Sequence, residues 1–177
     1  MPSGKTHDSI TFLLAVPAAI AGYLFMHSIV SAFVIGAAFV FGGLMFGPDL
    51  DTVSRQYSRW FILRFLWFPY RSFFKHRSRF SHGLIFGAFI RVVYFLGVVT
   101  LTAFLAVYVY AAYAGGKVPS LADFVRVWQP IGEFIRERFG TYFLGLVFVG
   151  LWLGAASHTF TDMAGSFIKT GRIAKFL

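Results

Sequence analysis

The chain contains no cysteine among its 177 residues. Disulfides and thiolate ligands are therefore excluded, and a metal site would need histidine, aspartate and glutamate, a set that suits zinc, manganese, iron or magnesium. Charge is also scarce: 13% of the residues are charged, where a soluble domain has about 25%. With 58% hydrophobic residues and 24 phenylalanines, this composition predicts an integral membrane protein.

Apolar runs predict an all-α membrane protein with about four transmembrane helices in a single domain, residues 1–177. A helix needs about 20 apolar residues to cross the bilayer core, and the predicted spans are 10–27, 29–47, 84–114 and 141–157. The first span is expected to be retained and not cleaved as a signal peptide. Glycines in the second and fourth spans predict close helix contacts, and Arg91 in the third is expected to snorkel to the membrane surface.

Two further segments, 52–75 and 120–139, are predicted to be amphipathic helices lying in the interface on opposite faces. The first contains WFILRFLWFPY, which is too short to cross and is interrupted by Arg64 and Pro69. The second begins with a Ser120–Asp123 capping pattern. Basic and aromatic residues are mixed over 55–79, so the net charge of +9 predicts binding to anionic lipid headgroups and not to nucleic acid.

The distribution of basic residues predicts the orientation. Most of the 16 lysines and arginines fall on the side that carries both termini and the middle loop. By the positive-inside rule that side is cytoplasmic. We therefore expect a multi-pass protein of the inner (plasma) membrane with both termini in the cytoplasm.

Most of the rare polar side chains border these spans on the same predicted side. Four crossings bring to one face four of the five histidines and four of the seven acidic residues: His7, Asp8, Asp49, Asp51, His76, His82, His158 and Asp162. The fifth histidine, His27, lies at the opposite loop and is expected to be structural. Ionisable groups at a membrane edge are costly and often functional, so this clustering predicts a metal site.

Each pair also has a local explanation. Asp8 can cap the first helix, and Asp49 with Asp51 can form an Asx turn. The basic run 76–79 can hold headgroups. His158 and Asp162, spaced i and i+4, share a helical face and can bind one ion or form a plain helix-end pair.

The motifs GPDLD, HRS..SH and H...D, with HD before the first span, resemble those of small bacterial membrane proteins described as metal-binding proteins. The likeness covers most of the chain. The chain is also similar to the YdjM-like membrane-bound predicted metal-dependent hydrolases, although its second histidine, His82, comes one residue later than theirs. Both groups resemble the zinc-dependent phospholipase C and nuclease superfamily, which implies a metal-dependent phosphoesterase-like site.

Three functions follow as hypotheses. In the first, one or two divalent ions, zinc being favoured, activate water against a phosphoester substrate such as a lipid headgroup. Asp51 would then be the general base, and Arg77 or Arg79 would hold the phosphate. In the second, a non-catalytic ion joins the helix ends. A transporter is disfavoured because the spans lack interior acids, and an oligomer is compatible with the sequence.

Overall fold

The computed structural model describes residues 3–74, 78–83 and 85–171. These residues form helices without a β-strand among them. The α-helices are α1 (Gly4–Met26), α2 (Ile29–Met45), α3 (Arg55–Arg59), α4 (Phe68–Phe73), α5 (Arg79–His82), α6 (Phe86–Tyr113), α7 (Leu121–Phe139) and α8 (Phe143–Thr170). Short 3-10 helices cover Pro48–Asp51 and Phe61–Trp67.

Four helices in the described part of the chain are long and apolar enough to cross a membrane, as predicted: α1, α2 with the following turn, α6 and α8. Two of them are longer than expected. Helix α1 begins at Gly4 because the Ser3 hydroxyl accepts a hydrogen bond from the Thr6 amide at 3.2 Å. Helix α8 continues past Ser157 to Thr170, where Gly171 adopts a left-handed conformation and ends it.

Helix α2 packs mainly against α8 and α1, and glycines allow the close approach to α8. A Cβ added to Gly154 would meet the Phe39 carbonyl oxygen, and one added to Gly42 would meet the Leu151 backbone. Gly145 has open space around it, so it contributes nothing to this contact. The predicted glycine-mediated contact is therefore confirmed at Gly150 and Gly154 of α8 and not at Gly145 in its first turn.

The aromatic segment after α2 folds back onto the helices. Trp67 and Tyr70 are 0% exposed, and the Tyr94 hydroxyl of α6 donates to the Leu66 carbonyl at 2.6 Å. The segment is helical, but its middle is a 3-10 helix that directs large rings into the core. Its predicted place in the membrane interface stays a prediction. The exposed side chains of Phe61 and its neighbours still leave an apolar outer surface.

Arg91 does not snorkel, contrary to the prediction. It is 0% exposed; its Nε donates to the Phe46 carbonyl at 2.6 Å, and its Nη1 donates to the Ser81 carbonyl. These acceptors are backbone oxygens at the end of α2 and in α5, and bonding them offsets the cost of burying the guanidinium. Arg91 therefore holds the end of α2 and helix α5 against α6.

Helix α7 confirms the predicted amphipathic helix at 120–139. It starts with a capping box in which the Ser120 hydroxyl accepts from the Asp123 amide at 3.2 Å. The Ser120 hydroxyl and amide both donate to the Asp123 carboxylate, and this lowers the pKa of that carboxyl. Pro130 is accommodated within the helix.

Candidate metal centre

Three side chains with metal-ligand chemistry meet where α1 and α8 pack together. His7 lies in the first turn of α1, and His158 and Asp162 lie one turn apart in α8. One ligand-type atom from each of the three lies within 4.8 Å of the others. Each residue is buried, with 3–6% of its surface exposed. Because α8 continues to Thr170, His158 and Asp162 are interior to the helix and are not a helix-end pair.

The two imidazoles are stacked and both approach the same carboxylate. Their ring centroids are 3.7 Å apart and their planes differ by 4°. His7 Nε2 lies 3.3 Å from Asp162 Oδ1, and His158 Nε2 lies 3.9 Å from Asp162 Oδ2. Two histidines and one carboxylate converging in this way form the donor set of many catalytic zinc sites, in which water takes the remaining position.

The hydrogen bonding of these groups fits the binding of a cation. Both Asp162 carboxylate oxygens, His158 Nε2 and His7 Nδ1 are buried without a hydrogen-bond partner in the described part of the chain. A buried carboxylate without hydrogen bonds costs several kcal/mol, roughly, unless a charge compensates it. A divalent ion bound among these atoms would supply that charge, so the residues present fit a metal.

Asp49 joins this group from the turn after α2. Its Oδ2 lies 3.6 Å from His158 Nε2, and its side chain is 32% exposed. The Ser54 and Thr52 hydroxyls donate to the Asp49 carbonyl at 2.7 and 3.2 Å and hold the turn in place. Asp49 is therefore the partly exposed carboxylate next to the buried histidines.

Asp51, two residues further on, is buried. It lies within electrostatic reach of Arg91, as does Asp49. Both carboxylates of GPDLD thus act electrostatically on the buried guanidinium. Asp51 is not among the three residues that converge most closely, and its predicted roles as ligand and base stay predictions.

Asp8 lies next to His7 but points to different partners. Its Oδ2 accepts from Arg59 Nη2 at 2.6 Å and lies 3.4 Å from Arg55 Nη1. It is not the cap of α1, because Ser3 fills that role. The pairing ties α1 to α3, and the prediction that Asp8 binds metal has no support from this contact.

The remaining predicted site residues lie on the segment that connects α4 to α6. His76 and Arg77 lie outside the described residues, and so do the side chains of His82 and Arg79. Helix α5 itself is held against α6 through the bond from Arg91 to Ser81. The predicted parts of His76, His82, Arg77 and Arg79 in the site therefore stay predictions.

Gln56 is a site residue that the sequence did not indicate. It is 5% exposed; its Nε2 donates to the Gly43 carbonyl at 3.1 Å and lies 2.9 Å from His158 Nδ1. Nδ1 is thus occupied by Gln56, and Nε2 is the nitrogen that faces Asp49 and Asp162. Metal binding at Nε2 places the proton of a neutral imidazole on Nδ1. Gln56 Oε1 would accept a hydrogen bond from that N–H only if the amide turned over and gave up its bond to the Gly43 carbonyl.

A family model described as "Uncharacterized metal-binding protein (DUF2227)" matches residues 2–172. The chain belongs to this family. The description agrees with a ligand set on α1 and α8, two helices that both lie within the matched range. The family's description names neither a metal nor a reaction.

A relative from Aquifex aeolicus (strain VF5) is 29% identical over 135 residues, which is 76% of this chain and 91% of the relative. Its name says only "Uncharacterized protein". No solved structure matches the chain.

Proposed function

We propose that this metal-binding protein is a membrane-embedded, metal-dependent phosphohydrolase. The observation that carries the proposal is the convergence of His7, His158 and Asp162 within 4.8 Å, beside the partly exposed Asp49. Three protein ligands with access for water are typical of catalytic zinc, whereas structural zinc sites are usually closed by four. The resemblance to YdjM-like hydrolases favours the same chemistry.

Each residue of the proposed site would have a distinct role. His7, His158 and Asp162 would hold the ion, with Asp49 as a further ligand or as a bridge to a second ion. A bound divalent ion would supply a water of lowered pKa and charge to offset the phosphoryl oxygens. Asp51 would act as general base, and Arg77, outside the described residues, would hold the phosphate.

The test begins with elemental analysis of protein purified without chelators. We expect one or two divalent ions per chain, zinc foremost, and chelator-sensitive hydrolysis of bis(p-nitrophenyl) phosphate. Asp51→Asn should keep the metal and lose at least tenfold in kcat, because it removes the base. Glu133→Gln on exposed α7 is the matched control and should change neither value. Metal-loaded protein without turnover on this ester or on phospholipid vesicles would refute the hydrolase.

A structural role for the ion is the second candidate, and one observation favours it. The ligand-type side chains come from α1, α8 and the turn after α2, so a single ion would join three separate parts of the chain. In this case His158→Ala should lower the melting temperature of zinc-loaded protein sharply, and no ester should be turned over.

The proposed setting is the inner membrane with both termini in the cytoplasm. The support is the excess of lysine and arginine on the side that carries the metal-ligand residues. The exposed guanidinium of Arg55 and its neighbours would contact anionic headgroups. Labelling of single cysteines at positions 3 and 115 from each side of the membrane tests this, since position 3 should react only from the cytoplasmic side.

A further inference from the structure

An apolar groove of about 490 Å³ opens on the membrane-facing side of the bundle next to the candidate metal centre. Its size lies within the range of ligand pockets, about 300–1,000 Å³. Its lining combines α1, α2, α8 and the start of α6: Leu14, Phe39, Ile85, Trp152, Ala156 and Phe160. The Trp152 indole donates to the Ile85 carbonyl at 3.2 Å and links α8 to α6 at this wall.

The groove and the metal-ligand residues share the same helices. Leu14 follows His7 by two turns of α1, a rise of about 10 Å, and Ser157 of the lining directly precedes His158. Phe160 lies between His158 and Asp162 in sequence. The groove therefore runs along α1 and α8 from the level of the ligands toward the middle of the bundle.

We infer that this groove holds one acyl chain of a phosphate-bearing membrane lipid while its phosphate lies at the metal centre. The lining is apolar apart from Ser157, whose hydroxyl is already bonded to the Gly154 carbonyl at 2.7 Å. It offers a hydrocarbon chain van der Waals contact and offers a polar molecule no hydrogen bond. The inference rests on the proposed function and names its substrate class.

Basic side chains at the end of the groove nearest the candidate metal centre suit the phosphate headgroup of this lipid. Arg55 and Arg59 lie there, paired with Asp8, and the side chain of Arg55 is 55% exposed. Arg55, Arg59 and Asp8 together carry one net positive charge, and a bound divalent ion would offset the carboxylates of Asp162 and Asp49. This end of the groove would then attract a phosphate. The groove and the charge thus match the two parts of one amphiphile.

A second apolar groove serves as the matched control. It has about 660 Å³ between α2, α7 and α8 and is lined by Val30, Phe33 and Val147 among others. Val147 precedes His158 by eleven residues of α8, about 16 Å along the axis. Lipid that merely coats the protein would fill both grooves alike, whereas substrate lipid should depend on the first.

The test uses phosphatidylglycerol with a photoreactive diazirine on its acyl chain, incorporated into phosphatidylcholine vesicles with zinc-loaded full-length protein. Leu153 of α8 also lines the groove. We expect crosslinks at 153–160, reduced at least fivefold by Ala156→Trp and by Leu153→Trp but not by Val147→Trp. Using two groove variants guards against one that folds poorly, and zinc content reports that the site is intact. Equal crosslinking in all three variants, or none at 153–160, overturns the inference.

Hydrolysis separates this inference from the proposed function. The groove variants should raise the KM for long-chain phosphatidylglycerol, a phosphodiester, about tenfold and leave hydrolysis of the soluble phosphodiester bis(p-nitrophenyl) phosphate within twofold of wild type. Crosslinking at the groove without hydrolysis of either ester would support the groove and refute the hydrolase. Hydrolysis of the soluble ester with unchanged lipid kinetics in both groove variants would refute the groove alone.

Discussion

Replacing Asp162 by asparagine tests the metal centre most directly. The side chain is 2% exposed and neither carboxylate oxygen has a hydrogen-bond partner in the described residues. Asparagine has nearly the same size, so the substitution removes the charge and leaves the packing of α8 almost unchanged. The change in the free energy of unfolding therefore reports the contribution of the carboxylate charge.

The expected sign depends on the metal. Without an ion, a buried carboxylate that accepts no hydrogen bond lowers stability, and Asp162→Asn should leave the free energy of unfolding unchanged or raise it. With zinc, the variant loses one ligand. If four ligands share the roughly 10–16 kcal/mol of apparent zinc binding equally, one is worth about 3–4 kcal/mol, which weakens binding by roughly two to three orders of magnitude.

The assay is thermal unfolding in detergent, with saturating zinc and with EDTA, together with the zinc-to-protein ratio. At a free zinc concentration of about 1,000 times Kd, the wild type should gain about 4 kcal/mol over the chelated protein. Asp162→Asn should gain much less and should purify with little zinc. Glu133→Gln on exposed α7 should behave as the wild type does.

Two results would refute the reasoning. One is a wild type whose melting temperature is the same in zinc and EDTA and which holds no divalent ion. The other is an Asp162→Asn protein that keeps stoichiometric zinc at wild-type affinity. Either would mean that the His7–His158–Asp162 cluster is a hydrogen-bonded or ion-paired structural feature.

The remaining predictions concern packing and the neighbouring charges. Gly154→Ala should destabilise the protein by about 1–3 kcal/mol in chemical unfolding, because its Cβ meets the Phe39 carbonyl. Gly145 lies in open space, so Gly145→Ala should change the free energy of unfolding by no more than about 0.5 kcal/mol. Arg91→Met should lower stability by roughly 3–5 kcal/mol in thermal unfolding, since two buried carbonyls lose their donor. A smaller effect than that of Gly145→Ala would show that these hydrogen bonds do not hold α2 and α5 against α6. Asp8→Asn should keep the zinc content and cost at most about 1 kcal/mol; loss of zinc would make Asp8 a ligand after all.

Local patterns carried the prediction of the helices. Apolar runs of sufficient length predict spans because a helix is the segment that satisfies its own backbone hydrogen bonds in lipid. The capping pattern at Ser120 predicted the start of α7, since a cap depends only on residues three apart. Helix ends were less predictable: α8 continues past His158 because its polar residues face other helices and not solvent.

The aromatic segment and Arg91 show where local patterns were insufficient. Trp67 and Tyr70 read as interfacial residues, yet α6 provides a surface against which they are fully buried. From the sequence, the guanidinium of Arg91 was predicted to extend to water at the membrane surface. In the structure it donates hydrogen bonds to the carbonyls of Phe46 and Ser81. Both outcomes depend on which groups a distant part of the chain brings near.

The sequence by itself determined the helical architecture and its four apolar spans, because hydropathy is enough for that, and it predicted that the few polar residues cluster. Only the tertiary structure decided which of those residues meet: His7 reaches Asp162 while its neighbour Asp8 turns to Arg59. The same packing brings Gln56 onto His158. The physical reason is that side-chain direction follows the rotation and contact of packed helices, which spacing along the chain does not specify.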